Sequence, residues 1–290
     1  MIRVSLSGDS ILLLGESGVG KTHYGAQLLR RLTNGDGALR MDGHATNLDP
    51  FEAALASLDE GMAAGHTATT TYVDSLWPVR DAAGRRADLV WPDYGGEQIR
   101  TMISSRRVQN AWLARVRNAR AWLLLIRLQQ TRTDDDIFSR PLVCLRDASA
   151  ENREIPISDQ ARLIELLQML IYVAGAGGRR PLDRPRLGML LTCWDELGLD
   201  LAPTVALEAR LPMLWEFLRS TWHTPFVMGL SALGRSLSPE RQDDEYVARG
   251  AEHFGYVVQP DGNRSTDLTL PIHLLLDSLG QRQSGQRAPE

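Results

Sequence analysis

Short apolar runs alternate along the chain with longer stretches whose apolar positions recur every three or four residues. Residues 4–6 and 11–14 predict two short strands, with Ser7-Gly8-Asp9-Ser10 as the turn between them. Residues 15–20 form a glycine-rich loop, and residues 22–32 read as a helix that stops at Asn34-Gly35-Asp36-Gly37. Pro50 suits the first turn of a second helix, predicted from Asp49 to about Ala64. Residues 69–79, rich in Thr, Tyr, Val and Trp, predict a strand. A turn at Asp81-Ala82-Ala83-Gly84 joins it to a partner strand over residues 87–91. A long helix is expected from Glu97 to Arg117, followed by the continuous apolar run 121–128, as a parallel strand buried on both faces requires. Residues 131–154 are polar and irregular. Ser158 suits the N-cap of an apolar helix reaching Ala174, assigned to the core, with a partner interface as the other reading. A Gly/Arg/Pro loop over 175–185 precedes a buried strand at 187–192, a helix at 203–221, a strand at 226–230 and a last helix at 269–279. The polar tail 281–290 is expected to be disordered.

Strands alternating with helices predict an α/β fold of three layers, a mostly parallel sheet with helices on both faces. With 290 residues, 43% of them apolar, the chain can bury a full core without disulfides or a metal. Trp112 and Trp122 are assigned to that core. The informative motifs spread from Gly15 to Ser231, which predicts one domain over residues 1–280 with insertions near 34–66 and 131–185. A net charge of −4 offers no general attraction to nucleic acid or an anionic membrane, so neither is expected as a partner. Cys144 and Cys193 lack metal-ligand spacing, and Asp134-Asp135-Asp136 reads as a solvated loop. No targeting segment or bilayer-length apolar run is visible, so a soluble protein in a reducing cytoplasm is expected.

Gly15-Glu16-Ser17-Gly18-Val19-Gly20-Lys21-Thr22 matches G-x-x-x-x-G-K-[ST] in full. Glycines let successive backbone N–H groups face inward around oxyanions, and the following helix adds its N-terminal dipole. Lys21 supplies a point charge to the β- and γ-phosphates, and Thr22 offers a hydroxyl to Mg²⁺. A chance match arises roughly once in a hundred such chains, and the strand before and helix after the loop make chance rarer still. Asp93-Tyr94-Gly95-Gly96 follows a strand. Asp93 there suits Mg²⁺ held through water, and the Gly96 amide suits the γ-phosphate.

These two segments, then Thr192-Cys193-Trp194-Asp195 and Ser231-Ala232-Leu233, resemble in order a Ras-like P-loop GTPase of the translation-factor-related class, over residues 11–233. The insertion, the TCWD form and the Trp-rich strands look most like the bacterial double-GTPase group, linked by gene context to conflict or defence systems. The resemblance implies that Asp195 accepts hydrogen bonds from guanine N1 and N2. Adenine has no donors there, so an acceptor-only carboxylate favours guanine. It implies that Thr192 opens the base-reading segment, and that the Ala232 N–H, beside Ser231, meets guanine O6. Thr192 stands where the family has Asn, Cys193 where it has the Lys that covers the base, and Leu233 where it has Lys. Trp194 is a candidate cover in place of that lysine. Among Thr67, Thr69, Thr70 and Thr71, Thr70, with Thr67 next, is the preferred ligand closing on Mg²⁺ and the γ-phosphate. The family often has Gln after the D-x-x-G glycine to orient water; here Glu97 and then Gln98 follow. Arg100, Arg106 and Arg107 could supply charge to the transition state, although solvated arginines on a helix are the plainer reading. The implied function is a switch that binds GTP or GDP with Mg²⁺, hydrolyses GTP slowly and regulates a protein effector or answers to an activating protein. The phosphate loop alone leaves two alternatives: an ATP-using ATPase or kinase, and a nucleotide-binding scaffold without turnover.

Overall fold

The computed structural model describes residues 9–65, 74–92, 97–132, 158–178, 180–198 and 200–280. The apolar runs become five parallel strands in the order β4 (Arg86–Pro92), β1 (Asp9–Gly15), β5 (Ala121–Arg127), β6 (Arg186–Thr192) and β7 (Phe226–Ser231). Antiparallel strands extend both sides: β3 (Asp74–Asp81) and β2 (Leu39–Met41) beyond β4, β8 (Tyr256–Val258) and β9 (Arg264–Ser265) beyond β7. Among the described residues the result is one nine-stranded mixed sheet.

Strand periodicity divides the core. Ile11 and Leu13 face one side, Leu12 and Leu14 the other, and all four are fully buried. The Leu12 side is covered by α3 (Glu97–Ser105), α4 (Asn110–Asn118), α5 (Asp159–Val173), α6 (Pro203–Arg210) and α7 (Pro212–Thr221). The Ile11 side is covered by α1 (Lys21–Asn34) and α9 (Leu270–Gly280), with Phe51 of α2 (Asp49–Asp59). Three layers therefore form, the expected α/β P-loop architecture. Trp112 and Trp122 lie in the first core, and Phe51, Trp77 and Trp91 pack edge to face or tilted in the second. A third, smaller core joins Ala26, Ala54 and Leu58 to Leu237, Ala251, Phe254 and Tyr246, the last on α8 (Asp244–Arg249). Among the described residues no helix is long and apolar enough to cross a membrane.

Several boundaries differ from the sequence expectation. Asp9 and Ser10 belong to β1 rather than to a turn; residues 4–6 lie outside the described residues. The helix expected over 97–117 is two. Arg106 takes φ 51°, and the Arg106 and Arg107 N–H groups donate to Ile103 O and Met102 O, which ends α3 before α4 restarts at Asn110. The same device at Gly61 ends α2 at Asp59 rather than near Ala64: the Gly61 and Met62 N–H groups donate to Leu58 O and Ser57 O. The helix expected over 203–221 breaks at Leu211, because Pro212 has no N–H and its ring clashes with the preceding turn. Ser158 does cap α5, accepting from Ala161 N at 3.3 Å. Asp134-Asp135-Asp136 and Cys144 lie outside the described residues.

Candidate functional site

All five parallel strands point their carboxyl ends at one cavity of about 430 Å³. This is where open α/β sheets bind ligands. The phosphate loop leaves β1, residues 192–195 leave β6, and residues 231–233 leave β7, so motifs far apart in sequence line a common wall. Ser17, Gly18, Gly20, Lys21 and Thr22 line it together with Thr192, Cys193, Asp195 and Ala232, and Cys193 Sγ lies 3.8 Å from where a Cβ on Gly20 would be.

The phosphate loop is built by backbone that side chains would obstruct. Gly18 and Gly20 both have φ 79°, and Gly20 sits immediately before α1. A Cβ on Gly15 would lie 2.9 Å from Val19 and 3.1 Å from Leu125 O, so the loop's first turn presses on β5. Lys21 Nζ donates to Gly15 O and Glu16 O, each at 2.7 Å. Burial pushes its pKa down to about 8, while the Glu16 carboxylate pulls the other way. The buried Glu16 side chain meets Arg162 of α5 at 2.9 and 3.0 Å and Arg100 of α3 at 3.6 Å. Arg162 in turn meets Asp159 at 2.9 Å. Of the three arginines after the D-x-x-G segment, Arg100 thus faces the phosphate loop, Arg106 pairs with Glu165 and Arg107 is exposed.

Ser231 is fully buried; its hydroxyl donates to Asp195 Oδ1 at 2.5 Å and accepts from Gly234 N at 3.0 Å. The Asp195 carboxylate is therefore fixed at the cavity wall with acceptor capacity left for a ligand. Thr192 Oγ1 is buried without a hydrogen-bond partner among the described residues. Trp194 does not cover the cavity: it is 2% exposed, in the first core, its ring against Gly229 of β7. A large apolar ring gains more from that burial than from standing at a wet rim. Burial pushes the Cys193 thiol up to about 11.

Asp93, Gly96, Thr67 and Thr70 lie outside the described residues. Glu97 opens α3, next to the D-x-x-G segment. The Gln98 side-chain oxygen accepts from Trp112 Nε1 at 3.1 Å, which turns it towards α4.

The site also contains residues with no motif. Arg127 ends β5 at the cavity wall, its guanidinium on the Glu196 carboxylate. Its only sequence signal is one charge closing an apolar run. His23 Nε2 accepts from Ala64 N at 3.0 Å, and burial lowers its pKa, which keeps the ring neutral for that role. That bond and Ala63 N donating to Ser238 O at 3.0 Å fix residues 63–65 as a side wall facing residues 233–237.

The family model described as Double-GTPase 1 matches residues 12–275. Among solved structures, the chain is similar to the Arl6 BBS3 small GTPase of Trypanosoma brucei with bound GppNp, at 12% identity and TM-score 0.37, covering 77% of this chain and 87% of that one. It is also similar to a chain of the signal recognition particle receptor SRb-GTP/SRX complex of Chaetomium thermophilum, at 16% identity and TM-score 0.35, covering 82% and 95%. No curated protein matches. With the phosphate loop, residues 192–195 and the Ser231 loop meeting at one cavity, and the family match spanning nearly the whole chain, this protein belongs to the double-GTPase family and is a GTP-binding P-loop GTPase.

Proposed function

We propose that this single domain is a Mg²⁺-dependent GTP switch with slow intrinsic hydrolysis, and that it regulates a protein partner. The observation that carries the reading is the Asp195 carboxylate, held by Ser231 in the wall of the same cavity that the phosphate loop lines. That geometry suits guanine at Asp195 and Ala232, with the triphosphate in the loop from Gly15 to Thr22. The buried Thr192 hydroxyl supports a further polar contact there. Lys21 would exchange its two carbonyl acceptors for β- and γ-phosphate oxygens. The donor set fits Mg²⁺: the Thr22 hydroxyl, at the cavity wall on the first turn of α1, is a hard oxygen ligand, with Asp93 and Thr70 assigned to complete it. When bound, the ion neutralises charge on the phosphates.

Glu97 is assigned to orient the attacking water, since the Gln98 carbonyl is engaged by Trp112. A carboxylate accepts a hydrogen from water but lacks the N–H donor of a glutamine amide, which fits slow turnover. Loss of the γ-phosphate would release Gly96 and Thr70 and so alter the surface a partner reads.

A competition assay tests this. A fluorescent GDP analogue is displaced by GTP, GDP or ATP with Mg²⁺ present, for the wild type and Asp195→Ala. Guanine nucleotides are expected to compete far better, and Asp195→Ala to remove the preference. Equal competition by ATP, or an unchanged preference in the variant, would instead make this an ATP-using enzyme.

A further inference from the structure

Position 193 carries a cysteine where the resemblance implies a base-covering lysine. The Cys193 thiol, pushed up to about 11, is neutral at physiological pH. A second strand brings a positive charge to the same spot. β5 pairs with β6 in parallel with Arg127 opposite Thr192, so the last side chain of β5 emerges beside the base-reading segment. Its Nε donates to Glu196 Oε2 at 2.9 Å, and its Nη2 pairs with Glu196 Oε1. Its Nη1 lies 3.4 Å from Gly18 O, in the phosphate loop. One guanidinium thus touches both loops that hold a nucleotide, and it lines the cavity with Gly18, Cys193 and Asp195.

A surface ion pair alone would not require the contact with Gly18. The two-point grip of Glu196 also fixes the guanidinium plane, and a fixed flat cation stacks on aromatic faces as an ammonium does not. Resting on the nucleotide-binding reading above, we propose that Arg127, oriented by Glu196, ties the phosphate loop to the base-reading loop and covers the bound guanine nucleotide, in place of a lysine at position 193.

The test measures affinity and release rate of a fluorescent GDP analogue, with the melting temperature of the nucleotide-free protein, for four variants. Arg127→Ala is expected to weaken binding about ten- to a hundredfold, mostly through faster release. Arg127→Lys is expected to recover only part of this, because an ammonium cannot keep both the carboxylate grip and the stack. Glu196→Gln should lose less, in the same direction. Adding Cys193→Lys to Arg127→Ala should restore binding, because it returns a cation from the neighbouring strand. Unchanged affinity in Arg127→Ala, a loss explained by a lowered melting temperature, or a loss that Cys193→Lys leaves uncorrected overturns the assignment of Arg127 alone. A wild type that binds no guanine nucleotide overturns the functional reading with it.

Discussion

Lys21 shows how one residue couples the site to pH. Burial pushes its pKa down to about 8, below the ordinary lysine value of 10.5. Burying the ammonium therefore costs stability, fully below about pH 8. The cost is relieved as pH rises from there towards 10.5, where the folded state has released a proton the unfolded chain still holds. A bound triphosphate favours the charged form and reverses the shift. Nucleotide binding at pH 8.5 is thus expected to take up a proton, and affinity to weaken as pH rises from 7 to 9. Calorimetric titration of GDP in buffers of different ionisation enthalpy checks this, with Lys21→Gln as the variant that should lose the uptake. No uptake by the wild type would mean that Lys21 stays on Gly15 O and Glu16 O when nucleotide binds. The place of Lys21 at the cavity was legible from the motif, because the glycines and the lysine of that pattern have fixed positions around one loop. Arg127 was not: its role depends on Gly18 and Glu196, brought to it only by the pairing of β5 with β1 and β6. Trp194 was misjudged for a related reason, since the space at Gly229 that receives its ring belongs to another strand.

Among elements, the five parallel strands were readable because strands buried on both faces must be apolar throughout. β2, β8 and β9, with three, three and two residues, are too short to carry a periodicity. The breaks at Arg106 and Gly61 were hidden because the apolar spacing continues past a terminus set by backbone geometry. The third core could not be read at all, since it joins α1 and α2 to residues near 237–254. That core holds α2 and the wall at Ala63–Gly65 against the other side of the cavity. Leu58→Ala, at a fully buried position, is expected to cost about 2–5 kcal/mol and also to speed GDP release. Leu166→Ala, buried in the first core behind the sheet, should cost a similar amount and leave release unchanged. Urea unfolding and stopped-flow release separate the two; equal release from both would detach the wall from the third core.

For the whole molecule, the cavity is lined by the carboxyl ends of the central strands and by residues of the second and third cores, including Phe51, Trp91 and Leu237. A ligand there should stabilise the fold as a unit. GDP at a hundred times its Kd adds about 2.7 kcal/mol. For a chain of 290 residues that corresponds to a melting shift of roughly 4–5 °C. Scanning calorimetry with GDP and with ATP checks it, and the shift is expected for GDP and largely absent for ATP. The outer edges of the sheet have a different consequence. A nine-stranded sheet with open, flat margins would template the addition of further chains, because unpaired ladder groups recruit any extended segment. Here one margin is a three-residue strand with Arg40 exposed at its centre, and the other a two-residue strand beginning at the exposed Arg264. Among the described residues, an incoming strand would find only a few hydrogen-bonding groups at either margin and would meet a positive charge at both, which works against growth into a fibre.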